Sequence, residues 1–451
     1  MEKTYLLTTK YAQRLYFEVC EKLPIIDYHN HLSVSELKEN KNYKNLYHIW
    51  LKPDPYKHRL MRIMGIEEEY ITGIKSDYEK FEKWCEIFPL LIGTPVYDWS
   101  LLELDRVFGI NIIPSGKSAK EIWDKANSLL SKEEFKPLEL LKKFNVSYLA
   151  PCVSILDDYT LFQGSDSVSP SLRGDDIVAL SKDFVEMLGE KTALKIKSLA
   201  DFKNAVSDRI SRLKECGLCF TDHALDSGFS YIKDDGKNEE RFVVLLGGEK
   251  LSEADRASLS SEILRIVGSV YKKHRLTMQL HIGAQRKTSD RLRNLAGAAG
   301  GYAGIGNCVN VKALTEFLND LEKNSALPKT LLFTLNPSDN AVMSILSGSY
   351  SEDGTEALIS QGPAWWWCDH MQGIKEMLNH MTAYGVLSTF IGMTTDSRSI
   401  LSFVRHEYFR RVLCMWIGEK IEAGELPDEP EAWEKVVKRV CYFNAKKIIN
   451  K

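Results

Sequence analysis

The chain has 451 residues, a formal net charge of −3, and 27% charged against 44% hydrophobic residues. That length suits one large catalytic domain with an insertion, and the near-neutral balance argues against a nucleic-acid binder held by a basic patch. No uncharged apolar run is long enough to span a bilayer, so no membrane association is expected.

The N-terminal stretch MEKTYLLTTKYAQRLYFEVC spreads its charges throughout and lacks the succession of basic, apolar and small residues that marks a signal peptide. The nine cysteines, an odd number scattered along the chain, suit a reduced cytosol better than a disulfide framework, and the expected location is cytoplasmic. Cys216 and Cys219 form a C-x-x-C. With no second such pair to complete a zinc site, they read as ordinary small apolar residues.

In chain order, the first β-rich run is LPIIDYH, which passes into Asn30 and His31. Residues 33 to about 140 follow, rich in Trp, Tyr, Lys and Glu; they break the strand–helix rhythm and read as a mainly helical insertion. Further runs fall at Asn145–Cys152, Leu218–His223, Leu276–Gly283, Thr330–Pro337 and Leu387–Arg398. Most are continuous apolar stretches without alternation, the pattern of strands buried on both faces of a parallel sheet. Helical stretches separate them, such as Gly248–Arg275 and Ala313–Asn324. Repeated strand–helix units over hundreds of residues predict an α/β fold, either a TIM-like barrel or a doubly wound sheet. A dinucleotide-binding sheet needs G-x-G-x-x-G after its first strand, and here that strand ends in His-Asn-His. The glycine-rich stretch GAAGGYAGIG (Gly297 to Gly306) follows no strand directly and reads as a flexible loop. The polar residues cluster at strand C-terminal ends, where barrel chemistry sits.

The expected organisation is therefore one catalytic domain. Residues 1–32 hold an N-terminal helix and the first barrel strand, 33–140 the insertion, and 141–451 the rest of the barrel.

Side chains alternate along a strand, so His29 and His31 share a side and can present two imidazoles to one ion. Alone, the pair reads equally well as two loop histidines bonded to backbone or solvent. His281, ending MQLH, and Asp396, ending FIGMTTD, stand at two further strand ends. Together the four make a nitrogen-and-oxygen donor set for zinc or another divalent ion. Asp222 and His223 are neighbours that face opposite ways on a regular strand, and only one of them can enter the barrel mouth. Arg173, Arg286 and Arg398 each fall just after a candidate strand or its polar end. Guanidinium groups hold carboxylates bidentately, so several near a metal suggest an anionic substrate; the plain alternative for each is a surface ion pair. Trp365, Trp366 and Trp367 are consecutive and cannot all face one side of a regular element, which leaves one for the core and another for a pocket wall. The remaining histidines, His48, His58, His274, His370, His380 and His406, read as structural.

These stretches, IIDYHNHLS, LKPDPYKHRLMRIMG, MQLHIGAQR, GPAWWW and above all GMTTDSRSILSFVRHEYFRRVLC, resemble the uronate (glucuronate) isomerase family of the amidohydrolase superfamily. The resemblance runs from about residue 5 to the C-terminus. It implies a distorted (β/α)8 barrel with a helical insertion. The activity it implies is aldose–ketose isomerisation between D-glucuronate and D-fructuronate, and between D-galacturonate and D-tagaturonate. It implies metal ligands at His29, His31 and Asp396, with Tyr56 and Asp396 as the catalytic pair. Arg173, Asp222, His281, Arg286, Trp365, Trp366 and Arg398 become substrate-binding positions. Zinc is the expected divalent metal, with no nucleotide cofactor, a small uronate as the partner molecule, and a homo-oligomer as the assembly. The chain departs from the family in two places. DPYKHR puts Pro55 where the family has a histidine before the tyrosine, and Lys287 to Asp290 replace a run of asparagines.

Such an isomerisation needs one acid–base group at the carbon and another at the oxygen. Tyr56 is expected at the carbon and Asp396 at the oxygen. A free tyrosine titrates near pH 10, so a cation is expected beside Tyr56, from Lys57, Arg59 or the barrel arginines. A metal-dependent hydrolase or deaminase uses the same H-x-H, His and Asp pattern and is the alternative reading; a non-catalytic sugar-acid-binding protein is a third.

Overall fold

The computed structural model describes residues 1–165 and 167–450. Seven parallel strands form its sheet: β1 (Ile25–Asn30), β2 (Val146–Ser154), β3 (Ser171–Arg173), β4 (Phe220–Leu225), β5 (Thr277–Ile282), β8 (Thr330–Thr334) and β9 (Ile359–Gln361). They neighbour one another in the order β1-β2-β3-β4-β5-β8-β9. The two strands between β5 and β8, β6 (Ala284–Gln285) and β7 (Gly304–Ile305), form a separate antiparallel ribbon. Every residue of β1, β5 and β8 is buried, as continuous apolar strands covered on both faces by helices require. This is the TIM-like α/β architecture.

Five of the six apolar runs named above become strands. The sixth, Leu387–Arg398, does not. Leu387–Thr389 is a tight 3-10 turn, and the residues after it build no ladder. Positive φ angles at Gly392 (+88°) and Asp396 (+47°) break the extension. The segment still closes against β1, using side chains where a strand would use backbone. Thr394 Oγ1 accepts from the His29 N–H at 3.0 Å and donates to the His29 carbonyl at 2.7 Å. The Asp396 N–H reaches the same carbonyl at 3.1 Å, and the His31 N–H reaches the Ser397 carbonyl at 2.8 Å.

Asp27, fully buried on β1, ties this seam. It accepts from the Thr395 N–H at 2.6 Å, Thr395 Oγ1 at 2.8 Å and Asn30 Nδ2 at 3.0 Å, with Thr394 Oγ1 3.0 Å and His406 Nε2 3.1 Å away. Asp27→Asn turns one acceptor into a donor facing donors. It is expected to cost on the order of 1–3 kcal/mol, measured by denaturant unfolding; an unchanged midpoint would assign the seam's strength elsewhere.

Between β1 and β2 the chain is helical throughout, from Val34–Glu39 to Pro137–Lys143. This stretch has no core of its own: Trp50, Phe81, Trp84 and Phe88 pack into the same apolar cluster as Ile25, Ile26 and Tyr28 of β1. Its helix Pro55–Ile63 carries Tyr56. Asp54 caps that helix, its carboxylate accepting from the N–H groups of Tyr56 (2.9 Å) and Lys57 (3.3 Å). Pro55 stands at the first helical position, where its missing N–H costs nothing and its fixed φ suits the turn. All nine cysteines are unpaired, and among the described residues no helix is long and apolar enough to cross a membrane.

Candidate active site

At the strand C-terminal ends lies a cavity of about 310 Å³. Its wall includes His29, His31, Tyr56, Arg173, His281, Arg286, Trp365, Trp366, Asp396 and Arg398. Asp222 is the one predicted site residue that does not line it. It is fully buried behind the wall, 3.9 Å from His29 Nδ1, 3.8 Å from His281 Nδ1 and 3.9 Å from Arg173 Nη1. The ladder explains this position, since Arg173 of β3 pairs with Asp222 of β4. Its neighbour His223 faces outward, with Nε2 2.9 Å from the Tyr271 hydroxyl and Gly174 packed on the ring.

Asp396 Oδ1 stands 3.2 Å from His29 Nε2 and 3.1 Å from His31 Nε2, at angles that make no hydrogen bond. Burial pushes Asp396 upward, but His29 and His31 hold it well below the usual carboxylate range. Burial pushes His31 down to about 4 against the opposing pull of Asp396, leaving a neutral ring with a free lone pair. Two wider groups meet the spacing of a metal site, with all donor atoms of each group within 4.8 Å: His29, His31 and Cys152, and His29, Asp222 and His281. Asp222 Oδ2, His281 Nε2 and Asp396 Oδ1 are buried and have no hydrogen-bond partner among the described residues. Orphaned acceptors converging on imidazoles are what a divalent ion satisfies, so these residues fit one. Cys152, with Sγ 3.4 Å from His29 Nδ1, was not among the predicted ligands.

The three arginines differ. Arg286 Nε donates to Asp226 at 2.8 Å, and Arg173 Nε to Asp175 at 2.9 Å. The guanidinium of Arg398 has no hydrogen-bond or ion-pair partner among the described residues, although it is largely buried and lines the cavity. An unpaired buried cation is costly unless an anion arrives.

Trp365 belongs to the buried apolar core, as one of the three was expected to, yet all three tryptophans also line the cavity, so core and wall are not separated. The reason is that their segment is no regular element, and Trp367 takes a φ of +62°. Trp365 Nε1 donates to Asp396 Oδ2 at 2.7 Å, and the Trp367 ring meets Tyr56 edge-on with centroids 4.7 Å apart. The residues beyond β6, including Ala298, Ala299, Gly301 and Ala303, fold over the cavity, as the glycine-rich loop allows. Gly301 lies at φ +79°, and a Cβ there would sit 2.2 Å from the Pro55 carbonyl. Gly301→Ala should therefore displace the loop from the helix bearing Tyr56 and lower kcat by up to about a hundredfold, read by steady-state kinetics beside an unchanged melting temperature.

The surroundings of Tyr56 also differ from expectation. Lys57 turns away into buried ion pairs with Asp54 (2.7 Å) and Glu103 (3.0 Å), and Arg59 lies over the Trp367 ring. The cation beside Tyr56 is Arg405, 5.6 Å from the ring centroid. The phenol itself donates to Asp369, 3.0 Å from both carboxylate oxygens, while Arg405 Nη1 holds Asp369 Oδ2 at 2.8 Å. Burial, and then the Asp369 charge, push Tyr56 well above its ordinary value, with Arg405 opposing. Sequence reasoning missed Asp369 and Arg405. Arg405 lies inside GMTTDSRSILSFVRHEYFRRVLC and Asp369 two residues past GPAWWW, but no spacing rule links either to Tyr56.

The barrel and its donors thus define a protein class with a divalent-ion site beside a cationic, aromatic-walled cavity sized for a small anion. Comparison with known proteins makes this specific. The glucuronate isomerase family model (UxaC) matches residues 1–449. A uronate isomerase of Caldicellulosiruptor saccharolyticus is 40% identical over 99% of this chain and 98% of its own length. The crystal structure of a uronate isomerase from Thermotoga maritima superposes with a TM-score of 0.91 at 30% identity, covering 100% of this chain and 99% of that one. A glucuronate isomerase structure from Caulobacter crescentus, 21% identical, shares the fold with a TM-score of 0.90 over 100% of this chain and 97% of its own. The chain belongs to the glucuronate isomerase family.

Proposed function

We propose that the cavity interconverts aldose and ketose forms of open-chain hexuronates: D-glucuronate with D-fructuronate, and D-galacturonate with D-tagaturonate. The observation that carries this reading is that Tyr56 and Asp396, two separate proton-transfer groups, line one cavity with the unpaired Arg398. Arg398 receives the substrate carboxylate, helped by the partly engaged Arg173 and Arg286. Asp396, held ionised, relays the proton between the two substrate oxygens. Tyr56 serves the hydrogen that moves between C2 and C1. Trp365 and Trp366 wall the sugar and exclude water. His29, His31 and Asp396 would hold the divalent ion, which when bound supplies positive charge for the substrate oxygens. Zinc suits this donor set, the more so with the Cys152 thiol nearby. Nine free thiols support a reducing compartment, the cytoplasm. The exposed Ile63, Ile74, Leu90 and Ile92 give the insertion apolar surface of the sort a homo-oligomer covers.

The test is to supply D-glucuronate and D-galacturonate to purified enzyme and follow ketouronate formation. Turnover of either supports the reading. Neither turning over, with ammonia released from a nucleobase, would instead favour a hydrolase. For the ion, His31→Ala is expected to lower bound metal, measured by elemental analysis, about tenfold or more; full retention would move the ligand set to the deeper His29, Asp222 and His281 group.

A further inference from the structure

We infer that Asp369, held by Arg405, is the proton acceptor through which Tyr56 acts, a positioning residue behind the cavity wall. The inference rests on the role proposed above for Tyr56.

Four observations support it. The phenol stands 3.0 Å from both Asp369 oxygens, so its proton already points at that carboxylate. Asp369 lies outside the cavity wall and is buried, so Tyr56 stands between it and any substrate. Arg405 Nη1, also buried, bonds Asp369 at 2.8 Å, so the carboxylate is not left as an uncompensated charge. Finally, the strained backbone of Trp367, at φ +62°, aims its N–H at the Tyr56 oxygen, 3.4 Å away. That oxygen thus faces one acceptor for its proton and one donor for the charge it would gain.

The proton balance closes. The Tyr56 proton passes to Asp369 as the phenolate oxygen takes the hydrogen from C2 as a proton; the electron pair stays on the substrate as an enediolate. Tyr56 then returns its proton to C1, and Asp369 returns the other to Tyr56. Burial raises Asp369 above the ordinary carboxylate range, with Arg405 and then the Tyr56 hydrogen bond opposing.

The groups facing this pair are few. Tyr56 comes from the helix Pro55–Ile63, and Arg405 and Tyr408 from the helix Val404–Glu422. Cys368 and His370 flank Asp369 in the chain, and Asp54 and Asp396 act on Arg405.

The experiment is the pH profile of kcat/KM with D-glucuronate for wild type, Asp369→Asn, Tyr56→Phe and the double variant. Asp369→Asn is expected to be roughly a hundredfold slower near neutral pH and to lose the bend at which the wild-type acid limb levels off, its rate climbing about tenfold per pH unit throughout as hydroxide replaces the missing acceptor. Adding Asp369→Asn to Tyr56→Phe should slow it by less than about twofold, because the two act as one unit. A slow Asp369→Asn that keeps the wild-type acid limb would reduce Asp369 to a structural ion-pair partner and overturn the inference. Wild-type turnover in Tyr56→Phe would instead overturn the reading of Tyr56 itself, a distinct result. If Asp369→Asn does not fold, Arg405→Lys decides: a weaker grip on Asp369 should move the acid limb to higher pH, and an unmoved limb overturns the inference.

Discussion

Asp396→Asn is expected to lower kcat about a thousandfold, inside the 10²–10⁴-fold range for losing an acid–base group. The substitution is informative because it changes little else. Asp396 sits at φ +47°, a region asparagine occupies as readily as aspartate, so the backbone has no reason to move. An amide oxygen can still accept from Trp365 Nε1, now 2.7 Å from the carboxylate. What disappears is the negative charge that His29 and His31 hold ionised, and with it both the proposed oxygen relay and a proposed metal ligand. Turnover with both uronates, measured beside metal content, separates these losses. A variant that keeps its metal and is still slow has lost the relay. One that keeps within tenfold of wild-type turnover removes Asp396 from the chemistry.

Tyr56→Phe should match that loss in kcat, about a thousandfold, with KM within about threefold of wild type. Phenylalanine keeps the edge-on contacts with Trp99 (5.5 Å between centroids) and Trp367 (4.7 Å) that fix the ring. Asp369 keeps Arg405 as its partner, so no buried charge is abandoned. The substrate still meets Arg398 and the indoles, which is why binding should hold. A raised KM with unchanged kcat would mean that Tyr56 only binds. Hydrogen exchange at C2 in deuterated water gives the second measurement: it should be lost along with turnover.

Much of this site could be read along the chain because strand ends carry local signals. IIDYHNH announced a buried strand with two imidazoles on one side, and MQLH announced a third. The short strand Ile359–Gln361 was invisible as an element, and Ser171–Arg173 was marked only through Arg173 at a strand's polar end, since three residues carry no period. The run FIGMTTD misled in the opposite way. Its apolar content reads as a strand, but the bends at Gly392 and Asp396 belong to the contact with β1, which local sequence does not encode. The same limit applies to Tyr56. Its partners Asp369 and Arg405 lie 313 and roughly 350 residues away, and only the fold brings them together. The arginines were legible as a group; which of them stays unpaired depended on where Asp175 and Asp226 fell.

The seam between β1 and the segment around Thr394 joins residues some 365 positions apart. Its cost in chain entropy can be recovered only after nearly everything between has been ordered. During synthesis the paired histidines of β1 emerge early, yet the oxygen of Asp396 that completes their ring is made near the end. A growing chain therefore carries half of the proposed metal site for most of its time on the ribosome, and the closing carboxylate arrives as the barrel shuts. The appearance of catalytic power and the completion of the fold become the same event.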